Sequence, residues 1–141
     1  MQVRDIMTSP VTSVDAEDPL AKALDLMRSG GFRRLPVLHQ GRLVGVVTDR
    51  DLRLATNSPL VLSEKWYSEF ILESIKVKAC MTSDPITIGP DAPVLHAARL
   101  MRQHKIGGLP VVQGEALVGI ITETDLLDFI IQRLEQEAIV A

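Results

Sequence analysis

The pattern of apolar and polar positions is written twice along this chain. Leu20, Ala23, Leu24 and Met27 recur at helical spacing, and Val94, Ala97, Ala98 and Met101 do the same further on. Positions i, i+3, i+4 and i+7 share one helix face, so each stretch predicts an amphipathic helix. Asp18 as N-cap and Pro19 at the first helical position open the first helix, and Gly30-Gly31 closes it. Each helix is followed by two near-continuous Val/Leu/Ile runs, residues 34–38 with 43–48 and residues 109–112 with 117–122. Such runs read as strands covered on both faces. His39-Gln40-Gly41-Arg42 and a turn at Gly114 predict hairpins between them. Residues 11–14 and 86–88 are short strand candidates, and a second helix begins after Thr48 and after Thr122. The order is strand, helix, strand, strand, helix in each copy, an α/β arrangement.

The two copies are one sequence shifted by 74 residues. Residues 3–52 fall on residues 77–126 without a gap, and 18 of the 50 pairs are identical. Met7-Thr8-Ser9 matches Met81-Thr82-Ser83, Leu35-Pro36-Val37 matches Leu109-Pro110-Val111, and Thr48 and Asp51 match Thr122 and Asp125. Two copies of this length exclude a solenoid array, whose units are shorter and more numerous. They point to a pseudo-twofold pair. The chain divides into repeat one over residues 1–62, a helical connector over 63–76 and repeat two with its C-terminal helix over 77–141. In the connector, Ser58-Pro59 breaks the chain just upstream and Ser63 is placed to cap a helix running to about Ile75. Trp66, Phe70 and Ile71 lie on its apolar face, beside the single tyrosine, Tyr67. The last helix carries Leu127, Ile130, Ile131 and Leu134 on one face. Packing onto the module is the expectation for both faces; the alternatives are a lid or dimer contact for the connector and association through an exposed part of the last helix.

Composition narrows the function. With 15 basic and 18 acidic side chains the net charge is −3, which disfavours general binding to nucleic acid or an acidic membrane surface. The longest run free of charged residues is the ten from Leu54 to Ser63, far below the ~18 of a membrane span. One cysteine, Cys80, cannot form an intramolecular disulfide, which fits a reducing compartment, and no signal peptide opens the chain, so a cytoplasmic location is expected. His39, His96, His104 and Cys80 show no metal-ligand spacing, and no phosphate-binding glycine loop or nucleophile elbow is present, so no metal, required cofactor or enzymatic activity is expected.

The ordered blocks Leu35-Pro36-Val37 … Gly45-Val46-Val47-Thr48-Asp49-Arg50-Asp51-Leu52 and Leu109-Pro110-Val111 … Gly119-Ile120-Ile121-Thr122-Glu123-Thr124-Asp125-Leu126 resemble the CBS domain, the module named after cystathionine β-synthase. The resemblance covers residues 3–126, and two such repeats in tandem form a Bateman module. It implies two βαββα units packed through their sheets, with clefts that sense adenosine-containing ligands such as AMP, ADP, ATP or S-adenosylmethionine. It also implies a homodimer and a protein target that reads the ligand state.

Thr48-x-x-Asp51 and Thr122-x-x-Asp125 stand where a strand becomes a helix. The first helical turn offers free N–H groups and a positive dipole end, which suit phosphate. A carboxylate accepts from both hydroxyls of a ribose. The same spacing is a capping box, Thr bonding forward and Asp bonding back, and the two roles are compatible. By resemblance, Asp51 and Asp125 hold ribose, and Thr48 and Thr122 lie near phosphate or ribose. Arg33, Arg34 and Arg50 in copy one, and His104, Lys105 and Thr124 in copy two, are candidates toward phosphate. Gly107 and Gly108 let backbone approach a ligand. Backbone at Ser13-Val14 and Thr87-Ile88 would meet adenine, with Pro36 and Pro110 lining it. Residues 1–62 carry eight basic and seven acidic groups while 77–141 carry five and eight, which predicts two unequal sites. The alternative is an interaction module whose clefts bind nothing and whose apolar helices mediate assembly. An enzyme hydrolysing a nucleotide is the least supported reading, because no nucleophile–base pair is evident.

Overall fold

The computed structural model of the protein describes residues 1–56 and 65–140, the side chains of 65–68 and of 140 excepted. Ser58-Pro59, Ser63 and the side chains of Trp66 and Tyr67 therefore lie outside the described residues. The chain forms two compact units. One is the continuous segment Thr12–Pro85, and the other joins Met1–Val11 to Ile86–Ala141.

In the continuous unit, β1 (Val14–Asp15), β2 (Arg34–His39), β3 (Arg42–Thr48) and β4 (Thr82–Ser83) form a four-stranded sheet in that order. Helices α2 (Leu20–Gly30), α3 (Asp49–Thr56) and α4 (Lys65–Ser74) accompany it. The strands β2 and β3 are antiparallel and closed by a tight turn between His39 and Arg42, with Gln40 at φ 51° and Gly41 at φ 79°. Positive φ at both central residues makes a hairpin turn whose twist matches its strands. β1 adds in parallel to β2, and β4 adds antiparallel to β3 through Gly45 and Val46. Val14, Leu20, Leu35, Val37, Val47 and Val77 are among the buried residues of its aliphatic core.

The second unit holds α1 (Val3–Ile6), α5 (Val94–His104), β5 (Gly108–Gln113), β6 (Ala116–Thr122) and α6 (Glu123–Val140). Its sheet follows the same plan at the 74-residue offset. Ile88 bridges Val111 in parallel, as Val14 does Val37, and Thr8 bridges Ile120 as Thr82 does Val46. Val3, Ala97, Leu109, Val111 and Ile121 are fully buried in its core. The segment leading into each repeat thus completes the sheet of the other. Residues 1–11 belong with repeat two, and residues 77–85 with repeat one. A glycine in each receiving strand makes room. A Cβ on Gly45 would lie 2.8 Å from the Thr82 carbonyl oxygen, and one on Gly119 would lie 3.0 Å from that of Thr8.

Several local expectations change. The first helix begins at Leu20, with Pro19 as a cap that makes no side-chain hydrogen bond. Asp18 instead accepts the Asp15 N–H at 2.8 Å and faces Lys22 at 3.3 Å. The Leu20 N–H is satisfied by the Ile75 carbonyl at 2.9 Å, and the Val94 N–H by that of Met1 at 3.1 Å, so main chain of the incoming segment does the capping. The strand candidate 11–14 shifts to Val14–Asp15, and 86–88 reduces to the single bridge at Ile88. In α4, Ile71 is half-buried but Phe70 is exposed. Beside it, Glu17 accepts from Lys76 at 2.5 Å and Lys78 at 2.7 Å. These hydrogen bonds, Lys76 first, hold the Glu17 carboxyl down at about 2. The face Leu127, Ile130, Ile131 and Leu134 of α6 is exposed rather than packed on its unit. Among the described residues, no helix is long and apolar enough to cross a membrane.

Candidate functional site

Each hairpin carries a threonine to the first turn of the helix that follows it. In the continuous unit the Thr48 N–H donates to Asp51 Oδ2 at 2.8 Å, and the Asp51 N–H donates to Thr48 Oγ1 at 3.2 Å. In the second unit the Thr122 N–H donates to Asp125 Oδ2 at 2.9 Å and the Asp125 N–H to Thr122 Oγ1 at 3.4 Å. Both are reciprocal capping boxes. Only one carboxylate oxygen, Oδ2, takes part in either box. Oδ1 of Asp51 receives no hydrogen bond among the described residues. Oδ1 of Asp125 accepts from the Thr8 hydroxyl at 3.0 Å. Capping fixes each aspartate's rotamer and leaves its outer oxygen to another hydroxyl.

The segments preceding β2 and β5 are brought to the same helix starts. The Asp49 N–H donates to the Arg33 carbonyl at 2.8 Å, and the Glu123 N–H to the Gly107 carbonyl at 3.0 Å. Arg33 is therefore placed at the beginning of α3, with Arg34 one residue on at the start of β2 and Arg50 exposed in the first helical turn. In the second unit Gly107 and Gly108 are half-buried at the start of α6, and Thr124 is exposed in its first turn. His104 and Lys105 are exposed at the C-terminal end of α5. Lys105 holds φ 55°, where the matching position of copy one is Gly31 at φ 70°. A lysine in the left-handed region carries backbone strain that glycine does not.

On the strand side, Val14 and Ile88 are buried, Ser13 and Thr87 half-buried, and Pro36 and Pro110 fully buried. The Ile88 N–H donates to the Pro110 carbonyl at 3.1 Å, and the Ile88 carbonyl accepts from Val112 at 2.9 Å. Both backbone groups of Ile88 are thus committed to the sheet. The charge asymmetry narrows but persists when residues are counted by the unit in which they pack. Unit Thr12–Pro85 carries ten basic and ten acidic side chains, and the other carries five and eight.

Thr8 and Ser9 received no role from the sequence, yet they meet the second box. Beyond the Thr8 contact to Asp125, the Ser9 hydroxyl donates to the Val118 carbonyl at 3.0 Å. The duplicated Met-Thr-Ser triplet was their only signal, because the residues they meet lie 117 and 109 positions away in sequence. Cys80, half-buried, has its thiol pushed above the usual range by burial and, secondarily, by the negative charge of Asp51. Among the described residues, no group of three or more His, Cys, Asp or Glu is disposed to hold a metal ion.

This geometry has known counterparts. The family model for the CBS domain matches residues 3–57 and 77–132. A CBS domain-containing protein of Dictyostelium discoideum is 39% identical over 138 residues, covering 94% of this chain and 93% of that protein. The crystal structure of a putative acetoin utilization protein, AcuB, from Vibrio cholerae superposes with a TM-score of 0.82 at 32% identity, over 98% of this chain and 96% of that one. The CBS domain pair of protein MJ0100, solved with 5-methylthioadenosine and S-adenosyl-L-methionine, gives 0.78 at 27% identity over 94% and 98%. CBSX2, solved in complex with AMP, gives 0.78 at 28% over 93% and 97%.

Proposed function

The chain belongs to the CBS domain family, and on that premise we propose that it is a regulatory module that senses an adenosine-containing ligand at its Thr-x-x-Asp sites. The single observation that carries this reading is the division of labour within each aspartate. Oδ2 is fixed by the capping box, while Oδ1 lies outside the box at both positions and at Asp125 already accepts a hydroxyl. A carboxylate held in one rotamer, with an outer oxygen for hydroxyls, suits a ribose diol. The adjacent first turns of α3 and α6 supply N–H groups and a positive dipole for phosphate. Arg33, Arg34 and Arg50 add charge on one side; His104, Lys105 and Thr124 are the weaker set on the other. Solved relatives hold AMP or S-adenosylmethionine, which supports this ligand class.

No catalytic domain is evident in the chain, whose family matches cover both repeats. In this reading the protein changes no bond. Ligand binding favours one arrangement through unequal affinity for two, and a homodimer or a target protein in the cytoplasm reads the difference.

Titration calorimetry of nucleotide-stripped protein with AMP, ADP, ATP and S-adenosylmethionine tests the proposal. The expected result is saturable binding of at least one at about micromolar Kd, equivalent to about −8 kcal/mol. Asp51→Asn together with Asp125→Asn is expected to abolish that heat while the variant still melts cooperatively, because the asparagine amide oxygen can still accept the threonine N–H of each box. Absence of heat from all four ligands at several temperatures would overturn the reading in favour of an interaction module with silent clefts.

A further inference from the structure

Asp51 and Asp125 hold equivalent places in the two repeats, yet their carboxylates are not equally free. A carboxylate offers about four lone-pair directions to donors. Among the described residues, Asp51 has one of them occupied, by the Thr48 N–H on Oδ2 at 2.8 Å. Asp125 has three occupied. Its Oδ2 accepts the Thr122 N–H at 2.9 Å and the Thr122 hydroxyl at 3.2 Å, and its Oδ1 accepts the Thr8 hydroxyl at 3.0 Å. A ribose diol brings two O–H donors. Asp51 has places for both, whereas Asp125 has a place for one.

The two Thr122 donors belong to the cap, but the Thr8 hydroxyl arrives on the exchanged N-terminal segment. Main-chain pairing delivers it. The Thr8 N–H donates to the Ile120 carbonyl at 2.8 Å, and the Thr8 carbonyl accepts the Ile120 N–H at 3.1 Å. Thr82, the match of Thr8 at the 74-residue offset, pairs with Val46 in the same way. Its hydroxyl, however, makes no hydrogen bond to Asp51, whose Oδ1 stays open among the described residues. The same threonine is therefore engaged at one site and disengaged at the other.

We propose that Thr8 sets the sugar specificity of the second site: its hydroxyl stands on Asp125 Oδ1 in the place of a ribose hydroxyl, so that this site reads one sugar hydroxyl where Asp51 reads two. The inference rests on the adenosine-ligand reading above and assigns a ligand preference to one of its two sites. A ribonucleotide at Asp125 either leaves one hydroxyl unpaired or turns the Thr8 side chain away, and both weaken binding. A 2′-deoxynucleotide forfeits a charge-assisted hydrogen bond at Asp51 but forfeits little at Asp125, where that acceptor is already taken.

Single-site variants separate the two sites in titration calorimetry. Asp125→Asn leaves the first site and Asp51→Asn leaves the second. Each is titrated with AMP, ATP and their 2′-deoxy forms. Loss of the 2′-hydroxyl is expected to weaken binding about tenfold or more at the first site and less than about threefold at the second. Thr8→Val keeps the branched shape and the main-chain pairing. Added to Asp51→Asn, it is expected to tighten the ribonucleotide by about three- to tenfold and to raise discrimination to that of the first site. Thr8→Ser retains a hydroxyl and is expected to match its Asp51→Asn parent. If Thr8 only supports the fold, Thr8→Val weakens ribo- and deoxyribonucleotide alike; that result would overturn the proposal, as would equal discrimination at the two sites with Thr8 intact. Absence of heat from both ribonucleotides in the Asp51→Asn protein would also overturn it, while binding at the first site or of S-adenosylmethionine would still uphold the sensor. Silence of the wild-type protein toward all of these ligands would overturn both.

Discussion

At Asp51 and Asp125 one side chain makes the helix cap and, in the proposed reading, binds ligand as well. Spacing alone favours a helix cap for Thr-x-x-Asp, and the cap is made with Oδ2 in both units. The outer oxygen decides the second role, and its position depends on a rotamer that sequence spacing does not specify. The charge of Asp51 is felt nearby at Cys80, whose thiol is raised mainly by burial and further by that carboxylate. The thiolate is the reactive species, so a raised thiol reacts slowly at a given pH. Alkylation of Cys80 by iodoacetamide at pH 8 is expected to be slower than that of a cysteine peptide, and to accelerate as pH rises past the ordinary value of 9.0. Asp51→Asn removes the secondary cause and is expected to quicken the reaction. A variant rate equal to wild type would show that the Asp51 charge does not reach the sulfur.

The two hairpins and the helices on either side of them were readable because hydrophobic period, Gly31 and the Gln40-Gly41 turn are local signals. The outermost strands were not. β4 spans two residues, Thr82–Ser83, and a two-residue strand has no period to read. Its pairing with β3, and that of Thr8 with Ile120, join residues far apart in the chain. The start of α2 was misplaced for a related reason. Asp18 has the chemistry of a cap, but the Ile75 carbonyl takes the Leu20 N–H and frees Asp18 to bind Asp15. What the sequence did contain, unrecognised, was the glycine opposite each incoming strand. In Gly45→Ala the new Cβ would meet the Met81 sulfur at 2.6 Å and the Thr82 carbonyl oxygen at 2.8 Å. The thioether can rotate away, whereas the carbonyl belongs to a paired strand. Gly45→Ala is therefore expected to destabilise by about 1–3 kcal/mol, as overpacking does. Gly89→Ala, whose Cβ meets nothing within 4 Å, serves as the control and should change stability by under ~0.5 kcal/mol. Denaturant melts of the two variants give the comparison, and equal values would show that β4 yields freely.

The duplication suggests two equal halves, but the chain path makes them unequal. The unit Thr12–Pro85 is one uninterrupted segment, whereas its sister is assembled from Met1–Val11 and Ile86–Ala141 around it. Only the sister needs both ends of the chain. The N-terminal segment supplies it with the fully buried Val3, the Thr8 pairing to Ile120 and the Met1 carbonyl that receives the Val94 N–H. It also brings the Thr8 hydroxyl to Asp125, so the stability of this unit and the second proposed site depend on the same eleven residues. The continuous unit draws its exchanged strand, β4, and its buried Val77 from within its own span. Removing residues 1–11 is therefore expected to act at a distance in sequence. In hydrogen-exchange measurements, amides of β5 and β6 should lose protection while those of β2 and β3 keep it. Val3→Ala should do the same in milder form, costing about 2 kcal/mol for a fully buried valine cut back. The order of the repeats in sequence predicts the reverse, since Val3 leads into repeat one. If protection falls in β2 and β3 instead, the exchange of leading segments is not how this chain folds. If it falls in β5 and β6 alone, the N-terminus is the handle by which the second site can be loosened without touching the first.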